Sequence, residues 1–223
     1  MSLMARRRAL MGAQGGSNLL VELKDLIPGS VVKFSKNSSI RYIMVKSYTS
    51  GQVLLLREYC LGTKTMSNGT SYANYENSQT DVYLSTTLYD AYDDRSKAKF
   101  MDFNFSFKAY NANGEQYTNE LTRKIFVPSA SMIKDTGVVT AALKAFRGTT
   151  SANTARKAYT SATSSSASWS TSTAYDQTHV SYVSTTGSDG NNGGINIARN
   201  VWPLFSIRAN EKARLDGSEY ILQ

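Results

Sequence analysis

The stretch FMDFNFSFKAYNANGEQYTNELTRKIFV, residues 100–127, constrains the fold more than any other part of the chain. Phe103, Phe105 and Phe107 alternate with Asn104, Ser106 and Lys108, which is the period-2 signature of a strand with one apolar face. Asn113-Gly114 then supplies a turn that tolerates positive φ, so the segment reads as a hairpin. Three phenylalanines on one face are core material. A second β-rich region lies upstream. LKDLIPGSVVKF sets a Pro-Gly turn before a strand, and IRYIMVKSY and QVLLLREY follow as a meander.

Two helices are expected between the strands. In the first, Thr80 or Asp81 caps a segment whose Leu84, Leu88 and Tyr92 share one face. Asp90, Asp93 and Asp94 close it, without the alternating spacing of a calcium loop. In the second, GVVTAALKAFRG, Val139, Leu143 and Phe146 form one stripe and Gly148 ends the helix. Residues 149–168, polar and without period, read as an exposed loop leading to Trp169. GSDGNNGG at 187–194 reads as a hairpin connection, and INIAR, VWPLFSI and SEYILQ as short strands. The expected architecture is a β-rich α+β domain over residues 19–223 with two central helices, preceded by an extended segment, residues 1–18.

Composition removes several function classes. The chain of 223 residues is long enough for a substantial core, and 14 Tyr and 8 Phe give it abundant aromatic surface. One Cys and one His leave no zinc site of the usual kind and no disulfide framework. Cys60 sits in an apolar run and reads as a buried, inert thiol. No G-x-S-x-G elbow accompanies His179, and no phosphate-loop or dinucleotide signature is present. A catalytic role, a metal and a cofactor are therefore not expected. The net charge of +8 is scattered among acids, apart from Arg6, Arg7 and Arg8, so nucleic acid is not an expected partner. No apolar run approaches the ~18 residues of a membrane helix, and ALMGA is shorter than a signal-peptide core.

Several motifs, taken in order, carry a resemblance. YENSQTDVYLSTTLYDAYDD, then RKIFVPSASMI, then Trp-Ser-Thr-Ser at 169–172, then VSTTGSDGNNGG and VWPLFSI resemble a domain family common in Firmicutes and their phages. That family is in turn similar to the C-type-lectin-like domains of formylglycine-generating enzymes and retroelement-diversified receptor-binding proteins. The resemblance covers about residues 24–222. The chain departs from the pattern at Thr171 and Trp202, where the family carries arginine. With Cys60 alone, the paired thiols of the enzyme branch are missing. ARRRALMGAQ separately resembles the opening of small phage tail-region proteins.

These resemblances imply a virion protein of the tail or baseplate region, assembled in the bacterial cytoplasm. Its N-terminal peptide (Arg6, Arg7, Arg8, Leu10, Met11) would dock on other virion proteins, and subunits would self-associate by symmetry. The lectin-like domain would face host-envelope glycan or protein, with Trp169 as a buried anchor. Tyr, Asn and small polar residues suit such surfaces, so Tyr159, Tyr175, His179, Tyr182, Asp189, Asn191 and Asn192 are the contact candidates. The alternative is a capsid decoration, head-fibre or assembly protein with no host ligand.

Overall fold

The computed structural model describes residues 20–67, 69 and 71–223. Its larger sheet is built from both ends of that range. The early strands are β1 (Leu20–Glu22), β2 (Val31–Lys33), β3 (Tyr42–Ser47) and β4 (Gln52–Arg57); the late ones are β8 (Ile125–Phe126), β15 (Leu204–Arg208), β16 (Lys212–Asp216) and β17 (Glu219–Leu222). They lie side by side as β1-β16-β17-β2-β3-β4-β15-β8. Only β17 and β2 run parallel; the other neighbours are antiparallel. The near-continuous apolar runs of β3, β4 and β15 explain their central position, because a strand covered on both faces has no use for a polar side.

The smaller sheet contains β5 (Leu61–Lys64), β11 (Trp169–Ala174), β12 (His179–Val183), β13 (Asn191–Gly194) and β14 (Arg199–Val201). Its order is β13-β12-β11-β14-β5. Two hairpin-like pairs stand apart: β6 (Phe103–Tyr110) with β7 (Gln116–Arg123), and β9 (Ala158–Tyr159) with β10 (Ser166–Ala167). The expected first hairpin is present from Phe103 opposite Arg123 to Tyr110 opposite Gln116. Phe103, Phe105 and Phe107 are all buried. Phe103 and Phe105 stack on Phe126 at 5.4 and 4.4 Å, and Phe107 meets Tyr75 edge-on at 5.7 Å. At the turn, Gly114 takes φ +79°, and the Asn111 side chain accepts from the Asn113 and Glu115 amides.

The helices are short. They are α1 (Gln79–Val82), α2 (Asp94–Lys97), α3 (Ala130–Ile133), α4 (Val138–Arg147) and α5 (Ala152–Arg156). Helix α1 runs on through a π-helical segment, Tyr83–Leu88, whose wider turn keeps Leu84 and Leu88 on the core side. Its cap is Ser78 rather than Thr80 or Asp81: the Ser78 hydroxyl accepts from the Asp81 amide at 3.1 Å. Asp81 has other work, since its carboxylate accepts from the Asn77 amide and takes the Arg123 fork at 2.8 and 2.9 Å. Asp93 caps α2 through the Ser96 amide. Helix α4 carries the expected stripe and ends at Gly148, φ +62°. It lies so close to the 28–30 turn that a Cβ on Gly29 would come within 2.9 Å of both Phe146 N and Ala145 Cβ.

The sequence reading needs correction at residues 149–168. This segment is not a plain exposed loop. Ser151 caps α5, Ala152 and Ala155 are buried, and β9 and β10 pair beyond it. The two tryptophans join the sheets. Trp169 opens β11 and Trp202 lies in the short link from β14 to β15, which passes from one sheet to the other. Both are fully buried, with rings edge to face at 5.0 Å and 88°. Each indole N–H, which is costly to bury unpaired, donates to a carbonyl: Trp169 to Arg156 O at 3.2 Å, Trp202 to Arg57 O at 2.6 Å.

Candidate recognition surface

Five of the seven contact candidates gather at one end of the smaller sheet, and the pleat divides them. Tyr182 stands opposite Asn191, Ser181 opposite Asn192, and His179 opposite Gly194. Cross-strand partners share a face and successive residues alternate. Tyr182 and Asn191 therefore lie on one side of the sheet, His179 and Asn192 on the other.

The Tyr182 side is closed by Arg199. The guanidinium sits 4.2 Å from the Tyr182 ring centre and passes so close to Gly193 that any side chain there would collide with it. Burial pulls the Arg199 guanidinium below its ordinary pKa, with the Tyr182 phenol opposing the shift. The packing bears on Gly193 alone, since a Cβ on Gly194 would make only ordinary contact with Ile197. Residues 191–194 form a strand rather than a hairpin connection, and the turn lies just before it. Asn191 donates to Ser188 O at 2.8 Å, which ties that turn to the strand.

The His179 side is open. Tyr175 is 47% exposed, and Thr178 and Asn192 are exposed with it. Here Asp176 organises the turn from β11 to β12. Its carboxylate accepts from the Thr178 and His179 amides at 2.9 Å each and meets His179 Nδ1 at 2.8 Å. Burial raises the Asp176 pKa, but the hydrogen bonds from His179 and the two amides outweigh it and hold the carboxyl below its usual range. The turn is also braced from outside. Lys108 on β6 donates to Tyr175 O at 2.8 Å, Gln177 O accepts from the Ala73 amide, and the Gln177 side chain packs on Gly114 at the tip of the first hairpin. The exposed aromatic and imidazole groups thus stand on a turn held by hydrogen bonds from two other segments. Strand β13 is the edge of its sheet, leaving one row of backbone groups without a ladder partner.

The other two candidates lie apart from these five and are engaged within the fold. Tyr159 lies on β9 against the Arg147 guanidinium at 5.2 Å, and its carbonyl accepts from both the Cys60 amide and thiol. Asp189 pairs with Arg156 at 2.8 Å. Arg6, Arg7, Arg8, Leu10 and Met11 lie outside the described residues. Among the described residues no group of three His, Cys, Asp or Glu is placed to hold a metal ion, and no helix is long and apolar enough to cross a membrane.

Sequence reasoning missed Arg156. Its side chain is 1% exposed and donates to Gly187 O, Ile133 O, Asp135, Asn153 and Asp189, at 2.6 to 3.0 Å. One guanidinium therefore fastens α5, the end of α3 and the turn before β13 together. The Ser-Ala-Asn-Thr-Ala-Arg run, with its cap and its alanines three apart, was the available signal.

A known family model matches the chain. It is described as a domain of unknown function (DUF6273), and its model matches residues 50–209. That span contains the whole smaller sheet, the first hairpin and all five helices, while β1, β2, β3, β16 and β17 fall outside it. No curated protein and no solved structure matches the chain.

Proposed function

The chain belongs to the DUF6273 family, and from that premise we propose that it is a non-enzymatic recognition module of a phage virion. In this reading its N-terminal peptide, residues 1–18, attaches it to the tail or baseplate region. The domain has a C-type-lectin-like fold and presents the Tyr175, His179 and Asn192 surface to the host envelope. The observation that carries the proposal is the braced β11–β12 turn, which holds exposed aromatic and imidazole groups over a polar, unpaired strand edge. The fold assignment draws support from the connectivity. Early and late strands share the larger sheet, and the intervening chain forms the smaller sheet and its loops.

A second reading, a capsid decoration or assembly protein, is favoured by the open edge of β13, which suits strand addition by a neighbouring virion protein. Immunogold microscopy of the phage particles with antibody against residues 20–223 separates the two. Label at the tail tip, with binding to host envelopes that weakens in Tyr175→Ala, supports recognition. Label over the capsid supports decoration, and absence of label from intact particles removes both.

A further inference from the structure

A groove of about 220 Å³ opens between the π-helical segment and the base of the first hairpin. It is far along the chain from the recognition surface and shares no residue with it. Leu84 and Ile125 form its apolar floor and are fully buried. Around them stand the polar groups of Ser85, Tyr89, Asp102, Arg123 and Lys124, with Thr122 at the margin.

The charges in this groove are nearly balanced. Arg123 is spent on Asp81, which takes its fork at 2.8 and 2.9 Å and is itself buried. Lys97 lies against Tyr89 at 5.4 Å and pairs with Asp90 at 3.6 Å. Two ionised groups are left over. Among the described residues Lys124 reaches only the Tyr89 hydroxyl, at a long 3.5 Å, and its ring, at 5.2 Å. The Asp102 side chain has no hydrogen-bond or ion-pair partner among the described residues, although its backbone carbonyl is held by Gln52. One spare cation and one spare anion on the same wall disfavour a net-charged ligand. They favour neighbouring hydroxyl groups, each of which both donates and accepts. The Ser85 hydroxyl donates to Asp81 O at 2.8 Å, leaving its oxygen free to accept. Arg123 donates a third N–H to Thr122 O at 3.0 Å and keeps two of its five N–H groups unused. An apolar floor under a polar rim matches a pyranose ring, which has C–H groups beneath and hydroxyls around its edge.

We infer that this groove binds one uncharged, pyranose-sized sugar unit of a glycan, with Asp102 accepting and Lys124 donating to adjacent hydroxyls. The π turn matters because it sets Ser85 and Tyr89 against the same opening; such turns are frequent where a helix serves a function. The inference stands independently of the recognition surface at β12–β13.

The test is a titration of the full chain, followed by backbone amide NMR, with glucose, galactose and N-acetylglucosamine as probes. Inorganic phosphate is the net-charged control, and glycine is the zwitterionic control for a ligand that would pair with both Lys124 and Asp102. The expected result is saturable, weak binding of at least one sugar, with shifts centred on Ser85, Tyr89 and residues 122–125. Asp102→Asn and Lys124→Met each weaken it about tenfold, the effect of losing one hydrogen bond to a charged group. Shifts at residues 175–179 report the proposed recognition surface and are read apart from those at Ser85, Tyr89 and residues 122–125, which alone decide this inference. Should a variant unfold, shift mapping on the wild-type chain decides alone. Shifts with phosphate or glycine but no sugar, sugar shifts located only outside the groove, or no shifts with any sugar overturn the inference.

Discussion

Trp169 and Trp202 meet edge to face at 5.0 Å, one at the start of a smaller-sheet strand and the other in the link that enters the larger sheet. This contact explains an indole inside a run of Ser and Thr: the polar residues approach along β9 and β10, and Trp169 is the point at which the chain enters the core. Trp169→Ala should cost about 3–5 kcal/mol, the range for removing a large buried aromatic, and Trp202→Ala about the same. Urea denaturation of both single variants and the double variant checks this. The double should be milder than the sum by about 0.5–1.5 kcal/mol, the usual worth of an aromatic pair.

Arg156 makes its bonds through a planar fork that lysine cannot reproduce. Arg156→Lys and Arg156→Met should both destabilise by about 3–5 kcal/mol, because Asp189 and the carbonyls of Ile133 and Gly187 lose their donor. Hydrogen exchange should show the largest loss of protection in the turn before β13. Equal stability of Arg156→Lys and wild type would mean that the guanidinium geometry is immaterial.

Gly187 and Gly190 offer a matched comparison within one turn. Their φ values are +83° and +78°, so alanine is strained at either by about 1–2 kcal/mol. They differ in surroundings: a Cβ on Gly190 meets nothing within 4 Å, whereas one on Gly187 collides with the Asn153 carbonyl. Gly187→Ala should therefore be the worse by about 2 kcal/mol or more, read as a difference in urea midpoints at constant slope.

Cys60 is a buried thiol that donates to Tyr159 O at 3.2 Å, and burial pushes its pKa up from 9.0 to about 11. Since the thiol ionises more readily in the unfolded chain, its contribution to stability is complete below pH 9 and is lost as pH rises toward 11. At pH 8 an alkylating reagent should leave native Cys60 largely unmodified and react at once in denaturant. Fast native labelling at pH 8 would contradict the burial.

Glu22 gives the opposite sign at the other end of the scale. Hydrogen bonds from Lys212 and Lys24 hold its carboxyl at about 2, below the ordinary 4.5. The tie between β1 and β16 is therefore in place above pH 4.5 and loosens as pH falls toward 2. Exchange of the β1 amides should rise over that window, and Glu22→Gln should flatten the dependence.

The hairpin at 103–123 and helix α4 were legible because each buries one continuous face and ends in a glycine at positive φ: Phe103, Phe105 and Phe107 before Gly114, and Val139 and Leu143 before Gly148. Helix α5 was not, because two buried alanines make too faint a stripe over five residues. Arg156 escaped for a related reason: the Ser151 cap and the two alanines mark a short helix, but they do not say that the arginine ending it is buried. Five of the seven contact candidates lie near one another, but their division between two faces was hidden. Which side of a sheet Tyr182 or His179 faces depends on register with β13, and register is a pairing between segments. The groove at Lys124 and Asp102 is non-local in the same way, since it exists only where the hairpin base meets the π turn.

The larger sheet has one more consequence. Leu20 stands opposite Arg214, and Arg214 opposite Ile221, so the first described strand and the last are separated by a single strand, about 10 Å. The segment from 20 to 223 therefore has the geometry of an insertable cassette. A surface loop of another protein could receive it across a gap that a few residues span, and a circular permutant joining the two ends should fold with both sheets intact.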